Sequence, residues 1–448
     1  MSGIMDGLAS ARLLVPRPTP ALAAVLVVLL IEAIALFVVL PRISDAVMTH
    51  YGIGFADDYD RLAYNLASGN GYRFAPDLAE TLMREPGYPL FLAGVFELFG
   101  YSLVAARVAN FLLAIGIALL MIPLARRVDA RPAVASVAAI VFLLHPGVIV
   151  AEARGGVELL FMFAVVLFVL ALYRAVENGR IVDYLIAGAL LGVVVLIRST
   201  PILFPALLFV YLLAAGHGAV ERCRAGVNAI LLVFAMVAVM SPWIGRNFRL
   251  TGEFVPTSSM LGVSVQSGQY ICEHLDFARG FQEIDKDGAV PARSARARSL
   301  GYAFKDDYYQ YFYRTGDEMT FNKVLLRDSM ERYRDHPGIV AKCLSANLFN
   351  FWFAGKSWTV TLVNMLVQLP LLLLAAAGAW ILIRSRRGGG LIIVGLFMGY
   401  LYVVHLPILA QARYSIPLVP FLAIPAGVAL LRVQAWLVDA LRARWTIT

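Results

Sequence analysis

FADDYDRLAYNLASGNGYRFAPDLAETLMREPGYPLFL, residues 55–92, decides how the rest of the chain is read. The stretch separates two apolar spans and so leaves the bilayer on the side away from the N-terminus. It opens on adjacent carboxylates, Asp57 and Asp58, and continues as a short amphipathic helix. It closes on Arg84, Glu85 and a Pro-Gly-Tyr-Pro turn. A loop that only joined two membrane helices would need none of these groups. Acids held at a membrane surface beside a basic group point to chemistry on a lipid-linked phosphate.

Working outward, the composition sets the class. Of 448 residues, 60% are hydrophobic and 15% charged, and mean hydropathy is +0.75. Soluble domains run nearer 45–50% apolar and about 25% charged, so most of this chain belongs in a bilayer. The net charge of +8 is distributed as basic residues punctuating apolar spans. That pattern sets membrane orientation and argues against nucleic acid as a partner. The excess of Arg over Lys, with abundant Ala and Val, suits a GC-rich bacterial genome and hence a multi-pass protein of the bacterial cytoplasmic membrane. Arg12 and Arg17 precede the first span with no small-residue cleavage site after it, so an uncleaved N-terminus is expected.

A helix crossing the hydrocarbon core needs about 20 apolar residues. About ten candidate spans meet or approach this: 20–40, 101–125, 132–150, 157–174, 183–197, 200–215, 226–244, 361–383, 391–407 and 415–432. The fifth and sixth are short and nearly touch at Arg198-Ser199-Thr200-Pro201, as a broken pair would. With the N-terminus inside, the inner connections carry Arg126/Arg127/Arg131, Arg174/Arg180, Arg222/Arg224, Arg384/Arg386/Arg387 and Arg432/Arg442/Arg444, in keeping with the positive-inside rule. Residues 337–355, counted as a span, would move the Arg384–Arg387 cluster outside. They read instead as a helix in the outer interface, with Trp352 and Trp358 at headgroup level.

The expected fold is an all-α membrane bundle with helices in its outer loops and a small outer cap. Residues 1–244 form an N-terminal transmembrane catalytic module that includes outer loop 41–100. Residues 245–360 form the cap, and 361–448 the C-terminal transmembrane helices and an inner tail. The cap begins with a turn-rich stretch (GEFVPTSSMLGVSVQSGQY, 252–270), carries a basic run (PARSARARS, 291–299), and becomes helical from Thr320 to Asp335. Its aromatic cluster Tyr308, Tyr309, Tyr311, Phe312 and Tyr313 suits either sugar rings or the interfacial belt. Cys223 falls inside, whereas Cys272 and Cys343 fall outside and are candidates for a disulfide. Three cysteines without CxxC spacing argue against structural zinc.

Several groups carry potential chemistry. From Asp57 the spacing is helical, with Tyr59, Leu62, Ala63 and Leu66 on one face and Asp58, Arg61 and Asn65 on the other. Asp57 then reads either as an N-cap with Asp60 in the first turn, or as a general base or holder of a divalent cation against phosphate. Whether a metal is needed stays open. Pro86 and Gly87 read as a helix start, which leaves Arg84, Glu85 and Tyr88 unexplained. A guanidinium suits phosphate. Glu152, Arg154 and Glu158 occupy the next outer turn, and Glu158 opens an otherwise apolar span, where ionisable groups are costly. Arg198, alone between two short spans, needs an anionic partner. Arg246 and Asn247 follow Pro242-Trp243 and read as substrate contacts or as an interfacial anchor. His405, Gln411, Arg413 and Tyr414 close the last outer turn.

In order along the chain, these stretches resemble the GT-C superfamily. Its members are integral-membrane glycosyltransferases and include the dolichyl-phosphate-mannose–protein mannosyltransferases and the bacterial lipid A aminoarabinose transferases. DDYDRLAYNLASGNGY…REPGYPLFLAGVFELFG resembles the first outer loop, and GVELLFMF (156–163) the acidic start of the fourth span. GVVVLIRSTPILFP (192–205) resembles the fifth–sixth junction. SPWIGRN (241–247) resembles the Pro-Trp-x-x-Arg-Asn motif, and RYSIPLVPFLAIPAG (413–427) the C-terminal Arg-Tyr-x-x-Pro span. The resemblance implies a polyprenyl-phosphate sugar donor and transfer to a hydroxyl of an envelope glycan, lipid or protein on the periplasmic face, with inversion. It also implies a catalytic base at Asp57 or Asp58. Two departures stand out: Asp-Asp where the family often has Asp-Glu, and Ser199 where it has Pro. The alternative, a membrane transporter or lipid flippase, predicts inverted repeats and broken helices at mid-bilayer. Only one short pair is seen. A non-catalytic scaffold would not need acids and arginines together.

Overall fold

The structure, a computed structural model, describes residues 20–42, 54–55, 57–216, 218–275, 284–302 and 317–445. The aromatic cluster 308–313 lies outside them. The described residues form helices and no strand, with one isolated parallel bridge between Phe55 and Gly155.

In chain order the helices are α1 (Pro20–Ile34), α2 (Tyr59–Ala67), α3 (Gly87–Phe99), α4 (Leu103–Val128), α5 (Pro132–Leu143), α6 (Pro146–Ala153) and α7 (Glu158–Asn178). They continue as α8 (Ile181–Ile197), α9 (Phe204–Ala215), α10 (Ala219–Thr251), α11 (Leu261–Glu273), α12 (Val290–Ser299) and α13 (Glu318–Asp335). The last four are α14 (Pro337–Phe353), α15 (Trp358–Arg384), α16 (Ile392–His405) and α17 (Val419–Trp445).

Among the described residues, seven helices are long and apolar enough to cross a membrane, and eight if the α5–α6 pair, bent by 57°, counts as one span. The bend follows from His145-Pro146: proline has no N–H to continue the ladder, and His145 Nδ1 caps Gly147 N at 3.1 Å. The ten apolar stretches of the sequence all fall on helices. Those at 183–197 and 200–215 form shorter apolar helices. Helix α14 is not among the seven.

Helix α8 packs between α7 and α10, α4 lies on α5 and α7, and α17 is clamped by α15 and α5. The basic connections assigned to the inner side converge. The Arg127 guanidinium lies 5.4 Å from the Tyr173 ring centre and 3.3 Å from Glu177, and Tyr173 donates to the Gly390 carbonyl.

At the other end the loop and cap interlock. Glu318 accepts from Thr81 Oγ1 (2.9 Å) and from Leu82 N, Ser259 N donates to Leu82 O (2.8 Å), and Ser258 donates to Glu85 (3.0 Å). The stretch read as turn-rich is helical from Leu261 onward. Its glycines serve close packing: a Cβ on Gly268 would sit 2.7 Å from the Ile408 and Leu409 backbones. The basic run 291–299 likewise lies within α12. Cys272 and Cys343 are both buried free thiols, close enough to hydrogen-bond each other.

Candidate active site

Asp57 and Asp58 both adopt left-handed backbone, with φ of 59° and 58°. Such conformations are uncommon outside glycine, and Asp is among the side chains that tolerate them. The turn separates the two carboxylates. Asp58 occupies the cap position of α2 without a side-chain cap bond, and faces outward 3.9 Å from Arg61. Asp57 turns inward. Its Oδ2 accepts from Arg413 Nη1 at 3.1 Å, its Oδ1 lies 3.9 Å from Arg84 Nη2, and its backbone carbonyl accepts from Arg84 Nε at 3.2 Å. The N-cap reading of Asp57 is therefore replaced by pairing with arginine. Asn65, placed by its spacing on the polar face, is buried instead and accepts from Asn70 at 3.1 Å.

Arg84 is set by its turn. Tyr72 donates to the carbonyls of Arg84 (3.0 Å) and Glu85 (3.1 Å). Gly87 presses on the end of α8, where a Cβ would meet Ile197 Cγ1 at 2.7 Å and Ile197 Cα and N at 2.9 Å. Arg198 is the next residue, so the turn that aims Arg84 also touches the helix end that aims Arg198. The Arg198 guanidinium lies 4.7 Å from the Tyr414 ring centre and 5.7 Å from that of Phe161. His405 stacks on Tyr414 at 4.9 Å, and its Nδ1 is 2.6 Å from the Leu401 carbonyl. Tyr414 thus contacts both Arg198 and His405.

Arg154 completes the group. Gly155 N donates to Gly54 O (3.1 Å) beside the Phe55–Gly155 bridge, bringing the α6–α7 turn alongside the residues that lead to Asp57. Asn110 Nδ2 holds the Arg154 carbonyl at 2.6 Å, and Arg154 Nε is buried without a hydrogen-bond partner. Burial alone would raise the Asp57 carboxyl. The charges of Arg413, Arg84, Arg154 and Arg198 outweigh that and hold it well below the usual carboxylate range. Asp58 moves the other way: partial burial raises it against the pull of Arg61.

Glu158 begins α7, is 5% exposed, and its Oε2 has no hydrogen-bond partner. Its charge acts on Arg413 and on Tyr88. Tyr88 is fully buried, edge-on to Tyr59 at 5.2 Å. Glu85 reaches the cap at Ser258. Arg246 and Asn247 find their partners away from Asp57. Arg246 pairs with Glu80 (3.3 Å) and the Thr81 carbonyl (3.2 Å) and lies over Trp243 (4.5 Å). Asn247 donates to Val255 O (3.0 Å) and Thr257 O (3.3 Å). Arg246 fastens the outer loop to the end of α10, and Asn247 fastens that helix end to the start of the cap. Glu152 is fully buried, its neighbouring charge being Glu32 of α1.

Lys356 was not singled out in the sequence. Ala412 N donates to Ala354 O at 2.9 Å, which places the Lys356 turn against the segment leading to Arg413, and its ammonium feels Arg154 and Lys286. The Phe353-Ala354-Gly355-Lys356 turn gives no motif by which sequence alone would find it. No group of three or more His, Cys, Asp or Glu able to hold a metal occurs among the described residues. The fit of a divalent cation rests on Asp57, whose carboxylate is already shared by two guanidiniums.

Comparison with known proteins agrees with this architecture. Residues 83–244 match the family model described as dolichyl-phosphate-mannose-protein mannosyltransferase. No curated protein matches. Among solved structures, ArnT from Cupriavidus metallidurans bound to undecaprenyl phosphate aligns with a TM-score of 0.50 at 15% identity, over 92% of this chain and 59% of that one. The apo oligosaccharyltransferase of Archaeoglobus fulgidus aligns with a TM-score of 0.56 at 15% identity, over 95% and 52%. This chain therefore spans between half and three-fifths of those two chains. It is a multi-pass membrane protein with the fold of the GT-C superfamily.

Proposed function

We propose that the protein transfers a sugar from a polyprenyl-phosphate donor to an acceptor hydroxyl at the outer face of the bacterial cytoplasmic membrane, with inversion. One observation carries the reading: four guanidiniums, of Arg84, Arg154, Arg198 and Arg413, act on the inward carboxylate of Asp57. Such an excess of partly buried positive charge calls for an anion, and planar donors in a fork suit phosphate.

In the chemistry proposed, the acceptor O–H gives its proton to Asp57 while its oxygen bonds to the anomeric carbon. The bond from that carbon to the phosphate oxygen breaks, and the lipid phosphate leaves with one more negative charge. The arginines are matched to that growing charge. A carboxylate clamped by arginine is a weak base. When the donor phosphate draws Arg413 and Arg84 to itself, Asp57 loses its counter-ions and gains proton affinity. Donor binding therefore primes the base. Tyr414, stacked on His405, carries Arg198, and the charge of Glu158 acts on Arg413.

Purified protein in proteoliposomes, given undecaprenyl phosphate, is expected to bind it, with affinity falling in Arg198→Lys at unchanged melting temperature. Unchanged affinity together with a large loss of stability would assign Arg198 to the scaffold.

A further inference from the structure

The cap contains a cavity of about 280 Å³ between α11, α12 and α13. It is smaller than the roughly 300–1,000 Å³ of drug-sized sites. Its wall alternates flat polar groups with an apolar floor of Ala292 and Leu325. The charged groups are already matched. Arg296 is bidentate on Asp328 (2.6 and 3.2 Å), and Arg332 is bidentate on Glu273 (2.5 and 2.7 Å). Buried Arg293 donates to Gln266 (2.8 Å) and Ser267 (2.5 Å) and lies 3.5 Å from Asp285. Tyr270 and His274 stack at 4.0 Å with an 18° angle, forming an aromatic flank. Ser329 is 2% exposed and its hydroxyl has no hydrogen-bond partner.

These features select a ligand class. A phosphate would find each guanidinium already neutralised by a carboxylate. A purely apolar ligand would strand the Ser329 hydroxyl and the outward lone pairs and N–H groups of the two ion pairs. A neutral polyhydroxylated ring satisfies both. Its hydroxyls can bridge guanidinium and carboxylate edges, while its C–H face covers an aromatic or aliphatic surface. We infer that this cavity seats one neutral sugar unit of the acceptor, so that the acceptor is a glycan and this unit is not the one that reacts. The placement agrees. Helix α11 rests on the backbone of Ile408–Leu409, just ahead of Arg413, and the turn preceding α12 carries Lys286, whose charge reaches Lys356, itself a neighbour of Arg154.

The inference builds on the transferase reading, and its test does not depend on turnover. Full-length protein in nanodiscs is probed by saturation-transfer NMR with methyl α-mannoside, methyl β-galactoside, methyl β-glucoside and N-acetylglucosamine. At least one glycoside is expected to receive saturation. The signal should disappear when Ser329→Leu fills the cavity, and affinity should weaken about tenfold in His274→Ala, whose side chain is exposed and whose loss spares the helix packing. Undecaprenyl phosphate binding should be unchanged in both variants. No saturation of any glycoside, or saturation that survives both variants, overturns the inference. Glycoside binding that persists in a protein without affinity for undecaprenyl phosphate would keep this site and remove the transferase reading.

Discussion

At the scale of single residues, the two adjacent aspartates are chemically identical and physically opposite. Asp57 is ringed by guanidiniums, while Asp58 faces Arg61 at the surface. The sequence could nominate both but could not choose, because the choice is made by a left-handed turn that no residue type announces. Asp57→Asn is expected to lower transfer by about 10²–10⁴ and to leave insertion intact. Asp58→Asn should cost far less. A turnover assay on the two purified variants checks this, and equal losses would mean that the turn does not separate their roles. Arg198 was legible as a charge between two short apolar spans, and Arg84, Arg413 and Tyr414 as polar groups at outer turns; the structure brings them together. Arg154 was visible in the same outer turn as Glu158, but its weight became clear only through the pairing of Gly54 with Gly155. For Arg154→Gln, loss of a charge-assisted contact of about 1.5–3 kcal/mol predicts roughly 10–100-fold weaker undecaprenyl phosphate binding. Isothermal titration measures it.

At the scale of elements, helix α13 holds the outer loop through one buried carboxyl. Burial pushes Glu318 up from 4.5 to about 7, against the lowering effect of its bonds from Leu82 and Thr81 and of Arg246. Because the folded value lies above the unfolded one, the folded state binds the proton more tightly. The Glu318 contribution to stability is then fully present below about pH 4.5, declines as pH rises towards about 7, and is lost above it. Thermal unfolding of the detergent-solubilised protein across this range should show that slope, and Glu318→Gln should flatten it. The Arg84 turn is a second element-scale device. Gly87→Ala should push the turn off Ile197 and move Arg84 relative to Arg198, lowering donor affinity more than melting temperature. Helix existence was legible from apolar length, since hydrophobicity fixes which segments enter a bilayer. The cap was less so. The glycines of α11 lower its local propensity, and only packing against α13 and the Ile408–Leu409 backbone makes it a helix.

At the scale of the whole molecule, the positive-inside assignment predicts which side each loop faces. In a background with Cys223, Cys272 and Cys343 replaced, a cysteine at position 58 should react with an impermeant maleimide from outside, and one at 386 or 442 only after permeabilisation. Labelling of 386 from outside would mean that α14 crosses the membrane. The shorter apolar helices bear on the lipid itself. Helix α8 has 17 residues, a reach of roughly 25 Å, against about 30 Å of hydrocarbon. Where a helix this short crosses the bilayer, local thinning of the lipid beside it is the expected accommodation. The thinned patch ends at Arg198, so a lipid phosphate arriving there has less hydrocarbon to cross before it meets the arginines. Membrane thickness becomes part of substrate delivery. Transfer measured in short-chain and long-chain phosphatidylcholine should differ in donor KM, rising with chain length, while Asp57-dependent turnover at saturating donor stays level.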